Sequence, residues 1–399
     1  MGWIALKMLI GDRAKFLGIV LGLTFAALLI TQQGSIFCGL MLRTCGQITD
    51  ITGADLWVMD PTVRYIDDVK PMLENNLYRV RGVEGVRWAV PLYKGQARVK
   101  INPEVSCGNR ATVIEQAILL GLDDSTLVGA PPRSRILAGN LRDLRTPDAI
   151  LVDSDRLQKL YPEEDWAQLP RLGKGFYRRF LRRQLEMNDH RAIIVGVCEA
   201  TRTFQTNPVV YTTYSRAKTF APQERKILSY ILAKTDPGVP ADVVARRIRS
   251  MTGLGAKTSQ EFTWMTINYY LLYTGIPFNF GVTALLGFLV GTAIAGQTFY
   301  NFTIENIKQF GALKAMGATN LRIVGMILLQ AMVVGFLGYG LGVGLAALFG
   351  WRIQGTELAF YTPWQLLPIT GCAIVLICIL SSLLSVQRVI RLEPAIVFR

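Results

Sequence analysis

Histidine is almost missing from this chain. Among 399 residues only His190 is one, and in EMNDHRAIIVGV a turn entering a strand accounts for it better than an acid–base pair with Asp189. That scarcity removes the side chain that most often moves protons or binds metal near neutral pH. No HExxH, GxSxG or paired-cysteine metal spacing stands in its place. A complete phosphate loop is missing too. TGLGAKTS at 252–259 imitates its end, but Ala256 occupies the place of the glycine before the lysine, and Met251 that of the glycine five residues earlier. The segment reads as a strand entry, so the chain is expected to be non-catalytic, with no catalytic residue, metal or cofactor of its own and no nucleotide site.

Cysteine is also sparse, with six in all. Cys38 and Cys45 sit at the outer edge of the first apolar run, Cys107 and Cys198 in the long segment after it, and Cys372 and Cys378 in the last apolar run. Such spacing is no scaffold. Free or buried thiols are expected, and the pairing state of the first four stays open.

Charge is absent where it matters most. No charged residue occurs from Phe16 to Leu42, between Glu261 and Glu305, between Arg322 and Arg352, or between Glu357 and Arg388. Each window exceeds the roughly 20 apolar residues that span a bilayer core as a helix. The reading is a membrane α-helical chain with four transmembrane helices, at 16–36, 276–299, 323–349 and 366–386. Lys7, Arg13 and Lys15 before the first run resemble the start of a signal peptide, but the run's length and the want of an Ala-x-Ala-like site favour a retained anchor.

Lysine and arginine in the short flanks orient the spans. Lys7, Arg13 and Lys15 precede the first; Lys308, Lys314 and Arg322 lie between the second and third; Arg388, Arg391 and Arg399 follow the fourth. The connection between the third and fourth holds only Arg352. Both termini are therefore expected to be cytoplasmic. The order becomes a cytoplasmic amphipathic start (1–15), the first helix, an extracytoplasmic α+β domain (37–275), the second helix, a cytoplasmic segment (300–322), the third helix, a short outer loop (350–365), the fourth helix and a cytoplasmic tail (387–399). The net charge of +14 belongs in large part to these flanks rather than to a nucleic-acid surface. For the outer arginines, including YRRFLRR at 177–183, lipid headgroups or acidic envelope components are better partners.

The outer segment is long enough for its own core. It repeats a strand-helix-strand pattern. GADLWVMD precedes a helix with Val69, Leu73, Leu77 and Val80 on one face, and VRWAVPLYKGQARVKI returns as a strand. ILSYILAKT is followed by a helix from Val239 to Met251 with Val243, Val244 and Ile248 inward, then by GLGAKTSQEF as a strand. Between the two units, about 122–224, lies a Pro- and Arg-rich insertion with strands at AILV, RAIIVGVC and PVVYTTY. Residues 43–265 are expected to fold as a soluble domain.

Between the second and third spans stands ENIKQFGALKAMGATNLRIVG, 305–325. On a helix from Glu305 to Met316, Ile307, Phe310, Gly311 and Lys314 share one side, while Glu305 and Lys308 are spaced to pair on another. Gly317-Ala318 ends that helix, and Thr319 or Asn320 can cap the next. Small residues and an aromatic on the exposed side of a short helix suit docking into a groove of another protein. An interfacial amphipathic helix is the plainer alternative.

This segment, extended to ENIKQFGALKAMGATNLRIVGMILLQA, resembles the cytoplasmic signature of the FtsX-like, or MacB-type, ABC transporter permeases, with their glutamate and G-x-L-K-A-x-G-A core. WIALKMLIGDRAKFLGIVLGLTFAALLI is similar to their start and first span, and RLEPAIVFR to their tail. Glycolipid export permeases of the DevC kind are a subgroup within the resemblance. Phe310 departs from the family, where isoleucine or another residue often precedes the glycine. The resemblance implies a bacterial inner-membrane permease subunit that couples ATP hydrolysis on a separate ABC ATPase to movement of outer domains, for export of a lipid, peptide or other envelope substrate. It implies a second permease chain, identical or paralogous, a periplasmic adaptor protein as a further partner, and ATPase coupling through Glu305, Ile307, Lys308, Phe310, Gly311, Lys314 and Gly317. The alternative within the family is a relay that activates a periplasmic cell-wall hydrolase.

Overall fold

The computed structural model describes residues 2–101, 113–162, 164–221, 228–353 and 356–390. Cys107 and the tail RLEPAIVFR, with Arg391 and Arg399, lie outside them. The chain forms two units, Met41–Tyr273 and Met1–Leu40 with Thr274–Arg399.

The first unit is built on a mixed sheet of ten strands among the described residues. They are β1 (Leu56–Met59), β2 (Val86–Ile101), β3 (Val113–Leu122), β4 (Ile136–Gly139), β5 (Ala149–Asp153), β6 (Gln184–Met187), β7 (His190–Cys198), β8 (Val209–Thr213), β9 (Tyr230–Thr235) and β10 (Gly255–Thr258). The order is β10-β1-β9-β2-β3-β8-β5-β7-β4, with β6 pairing both β2 and β7. The two strand-helix-strand units are therefore not separate. Their strands interleave, because β1 pairs antiparallel with both β9 and β10 while β2 pairs with β9. The strands between them do not form a body apart, since they prolong the same sheet. β2 makes the join: its residues 86–92 pair with β9, and from Tyr93 onward it pairs with β3.

Both faces of this sheet are covered. Leu56, Val58, Ala117, Leu119, Ile150 and Val152 enter one core, and their neighbours Trp57, Met59, Ile118, Leu120 and Leu151 enter the other. This is why the strands read as continuous apolar runs instead of alternating ones. On the first face lie the helices Asn75–Arg81 and Ala241–Thr252, through Leu77, Val80, Val244, Ala245 and Ile248. The first of these is shorter than expected: Leu73 lies before it and is exposed. Val243 is only half-buried.

On the second face Trp57 meets Tyr230 edge-on at 5.5 Å and Phe262 at 5.4 Å between ring centroids. Phe262 was expected in a strand; it belongs to the helix Ser259–Tyr273. The reason is a capping box: the Thr258 backbone N–H donates to Glu261 Oε2 at 2.9 Å, and the Glu261 N–H donates to Thr258 Oγ1 at 3.1 Å. The unit runs on to Tyr273, so the fragment 43–265 would cut this helix.

Among the described residues, four helices are long and apolar enough to cross a membrane: Arg13–Thr44, Ile276–Glu305, Asn320–Arg352 and Leu366–Gln387, the last continuing to Ile390. Glycine sets their spacing. A Cβ on Gly342 would stand 2.5 Å from the Ala27 Cβ and 2.7 Å from the Thr24 carbonyl oxygen, and one on Gly291 would stand 2.5 Å from the Ala26 Cβ. Backbones meet where side chains are smallest, as bilayer helices require when lipid already solvates apolar side chains. Hydroxyls add a few polar ties, such as Ser35 to Thr362 at 2.8 Å and Ser381 Oγ to the Thr292 carbonyl at 3.2 Å.

Candidate functional site

The segment between the second and third spans is a compact corner. The second span ends at Glu305, Asn306 interrupts it, and a short helix follows at Ile307–Ala315. The Asn306 side-chain amide donates back to the Phe302 carbonyl at 2.8 Å. At the far end the Gly317 N–H donates to the Lys314 carbonyl at 3.1 Å and the Ala318 N–H to the Leu313 carbonyl at 3.0 Å. Those two bonds make a Schellman motif, and Gly317 carries the left-handed φ of +91° that it demands. Ala318 and Leu313 pack in one cluster, closing the motif hydrophobically. Thr319 occupies the N-cap of the third span, though its side chain makes no capping bond; its carbonyl accepts from Arg322 and Ile323.

The side of this helix that faces outward differs from the expected one. Phe310 is 0% exposed, and Gly311 and Leu313 are buried with it. Phe310 and Leu313 pack with Ala5, Ala318, Ile323, Met326 and Ile327. An aromatic ring buries more apolar area than any neighbour here, so the helix turns Phe310 toward the N-terminal helix Gly2–Gly11 and the start of the third span. Gln330 reinforces that packing by donating to the Ala5 carbonyl at 2.7 Å. Ile307 and Lys314 are half-buried.

Exposed instead are Lys308, Gln309, Ala315, Met316 and Gly317, with Leu321 and Arg322 just beyond. Met316 and Leu321 are 76% and 82% exposed. The expected Glu305–Lys308 pair is also replaced: Glu305 pairs with Lys15, which also pairs with Asp12 at 2.6 Å. The hydrogen bond from Lys15 holds the Asp12 carboxyl below its ordinary range. Sequence reasoning missed Met316 and Leu321 because the periodicity of 305–316 does not say which face the rest of the fold covers.

Other sequence candidates prove structural. Asn188 and Asp189, both at positive φ, make the tight turn from β6 to β7, and His190 opens β7 at the surface. Residues 252–259 run from a helix end through Gly253, at φ +73°, into β10, the reverse of a phosphate loop. In YRRFLRR, Arg183 and Arg179 reach Glu164 at 2.5 and 3.4 Å, and Arg179 lies 4.2 Å from the Phe176 ring centroid. Cys38, Cys45, Cys198, Cys372 and Cys378 are free thiols.

Residues 255–394 match the family model described as FtsX-like permease C-terminal. Among curated proteins, the chain is 29% identical over 117 residues to uncharacterized ABC transporter permease Rv2563 of Mycobacterium tuberculosis, covering 29% of this chain and 33% of that protein. It is 26% identical over 120 residues to a second, Rv0072, covering 30% and 34%. The chain thus spans about a third of the length of these relatives. Among solved structures it is similar to the periplasmic region of MacB from Actinobacillus actinomycetemcomitans, at 12% identity and TM-score 0.36, covering 55% of this chain and 96% of that one. It is also similar to the extracellular domain of the ABC-type transporter YknZ from Gram-positive bacteria, at 13% identity and TM-score 0.34, covering 51% and 98%.

Proposed function

We propose that this chain, whose residues 255–394 match the family model of the FtsX-like permease C-terminal region, is the membrane subunit of an ABC transporter of the FtsX/MacB type. In this reading ATP is hydrolysed on a partner chain, both termini lie in the cytoplasm, and a second permease chain completes the complex. The single observation that carries the coupling mechanism is the corner at 305–325, which leaves two large apolar side chains, Met316 and Leu321, mostly uncovered by this chain. Exposed methionine and leucine beside lysine suit a groove of another protein better than they suit water. Phe310 and Gly311 then act from beneath, fixing the corner to the third span, while Met316, Leu321 and Lys308 meet the ATPase. Closure of paired ATPases would push on these corners, and the spans would carry the push toward residues 41–273 to expel an envelope substrate through an adaptor. The charge-free spans support a mechanical role over a polar pathway through them.

The test is co-purification of the ABC ATPase with each variant of the chain. Met316→Asp with Leu321→Asp should weaken association at least tenfold, about 1.4 kcal/mol, while thermal unfolding of the permease stays unchanged. Gly317→Val, which forces a β-branched residue to φ +91°, should lose coupling together with roughly 1–2 kcal/mol of local stability. Undiminished ATPase capture by the aspartate variant would place docking elsewhere.

A further inference from the structure

Two groups of arginines in the sheet unit stand in contrast. In one, each guanidinium has a carboxylate: Arg135 meets Asp50 at 2.5 Å, Arg216 and Arg191 meet Asp148 at 2.6 and 3.2 Å, and Arg202 meets Asp155 at 2.6 Å. The other set is Arg133, Arg142 and Arg145. None of these three meets a carboxylate among the described residues, and all three line one cleft of about 590 Å³ with Thr126 and Asn140. No carboxylate is among the described residues lining it. Like charges gathered without a counter-ion repel one another, so an anion between them would relieve that repulsion.

The walls of the cleft are held from behind. The Asp123 carboxylate accepts from Ser125 Oγ at 2.7 Å and from the Thr126 N–H and Oγ1 at 2.8 Å each, which pins the loop on one side. On the other side Asn140 Oδ1 accepts from the Arg142 N–H at 3.1 Å, leaving its amide NH₂ as a donor. Gly139 sits at φ +82° with its Cα pressed on β7: a Cβ there would lie 2.1 Å from the Val195 carbonyl oxygen. Arg145 is tied to the Ser125 carbonyl and so joins the two walls. A ligand would thus meet donors already in place.

We propose that this cleft binds a multiply charged phosphate group. Guanidinium forks match phosphate oxygens in pairs, and the amide of Asn140 adds a neutral donor. The volume suits a headgroup-sized ligand rather than a bare ion. This site is independent of the ATPase-docking corner.

Titration calorimetry on the full chain, reconstituted in neutral phosphatidylcholine nanodiscs, tests it with sodium tripolyphosphate in one arm and dihexanoyl phosphatidic acid in the other. Arg133→Gln with Arg142→Gln should weaken binding at least tenfold, and added salt should weaken wild-type binding steeply. Lys174→Gln, which removes a charge from another exposed surface, should leave it unchanged. A tenfold loss in both arms means that phosphate alone is recognised; loss in the lipid arm only assigns the site to a headgroup. Equal binding by wild type and the double arginine variant, or equal loss in Lys174→Gln, overturns the proposal. Unaltered circular dichroism in each variant keeps the comparison on binding.

Discussion

The two units of this protein solve the packing problem in opposite ways. Residues 41–273 bury large side chains between a sheet and its two coverings, with Trp57, Tyr93, Tyr211 and Phe262 all less than 2% exposed. The spans bring backbones together through Gly291, Gly338 and Gly342 and leave Leu285, Leu289, Phe336 and Leu341 facing outward. In water the outward leucines would cost about 25 cal/mol per Å² of apolar surface; in lipid that cost vanishes, and close contact is what holds helices together. Bulk therefore stabilises one unit, and smallness stabilises the other.

The contrast breaks most readily at its largest side chain. Trp57→Ala should destabilise residues 41–273 by about 3–5 kcal/mol, because it empties a site shared with Tyr230 and Phe262. Urea unfolding of the full chain, followed by tryptophan-independent circular dichroism, reads this as a lower midpoint for the sheet transition, with the spanning helices retained. A loss under 1 kcal/mol would mean that the aromatic cluster collapses freely around the gap.

In the spans the same contrast predicts harm from added bulk. Gly342→Leu should cost about 1–3 kcal/mol or more, since its Cβ would press on Ala27 and on the backbone at Thr24 and Leu28. Gly340→Leu should be near neutral, because a Cβ there meets nothing within 4 Å. Thermal unfolding in detergent separates the pair, and equal shifts would remove the argument from close packing.

A pH-dependent effect belongs to the sheet unit alone. Asp153 is 2% exposed, and burial, with Asp155 nearby, pushes its carboxyl up from 3.8 to about 7. The folded state thus keeps the proton that the unfolded chain releases, so this group's contribution is fully present below 3.8, declines as pH rises and is gone above about 7. The size is on the order of 4 kcal/mol. Asp153→Asn keeps an Oδ1 for the Asp155 and Ala200 N–H donors, both at 3.2 Å, and should flatten the fall in stability between pH 4 and 7. A wild-type profile already flat there would refute the raised carboxyl.

Legibility in the sequence followed the range of the forces involved. Thr258 and Glu261 spell a capping box three residues apart, so the helix beginning at Ser259 was readable even though GLGAKTSQEF looked like a strand. Gly317 was equally local: a glycine just past a helical pattern marks the left-handed cap found there. The interleaving of β1, β9 and β10 was not readable, because the partners are separated by most of the unit and period-two patterns do not name them. Phe310 was misjudged for the same reason.

By itself the sequence determined where the four apolar helices run, since excluding charge from a bilayer core is a condition on each residue taken alone, and it determined the break at Gly317, since backbone freedom is a property of one residue. Only the tertiary structure decided which side of the 307–315 helix faces outward and which arginines keep a carboxylate. Both depend on what distant segments bring alongside, and burial and Coulomb energy are set by those neighbours rather than by the residue's own chemistry.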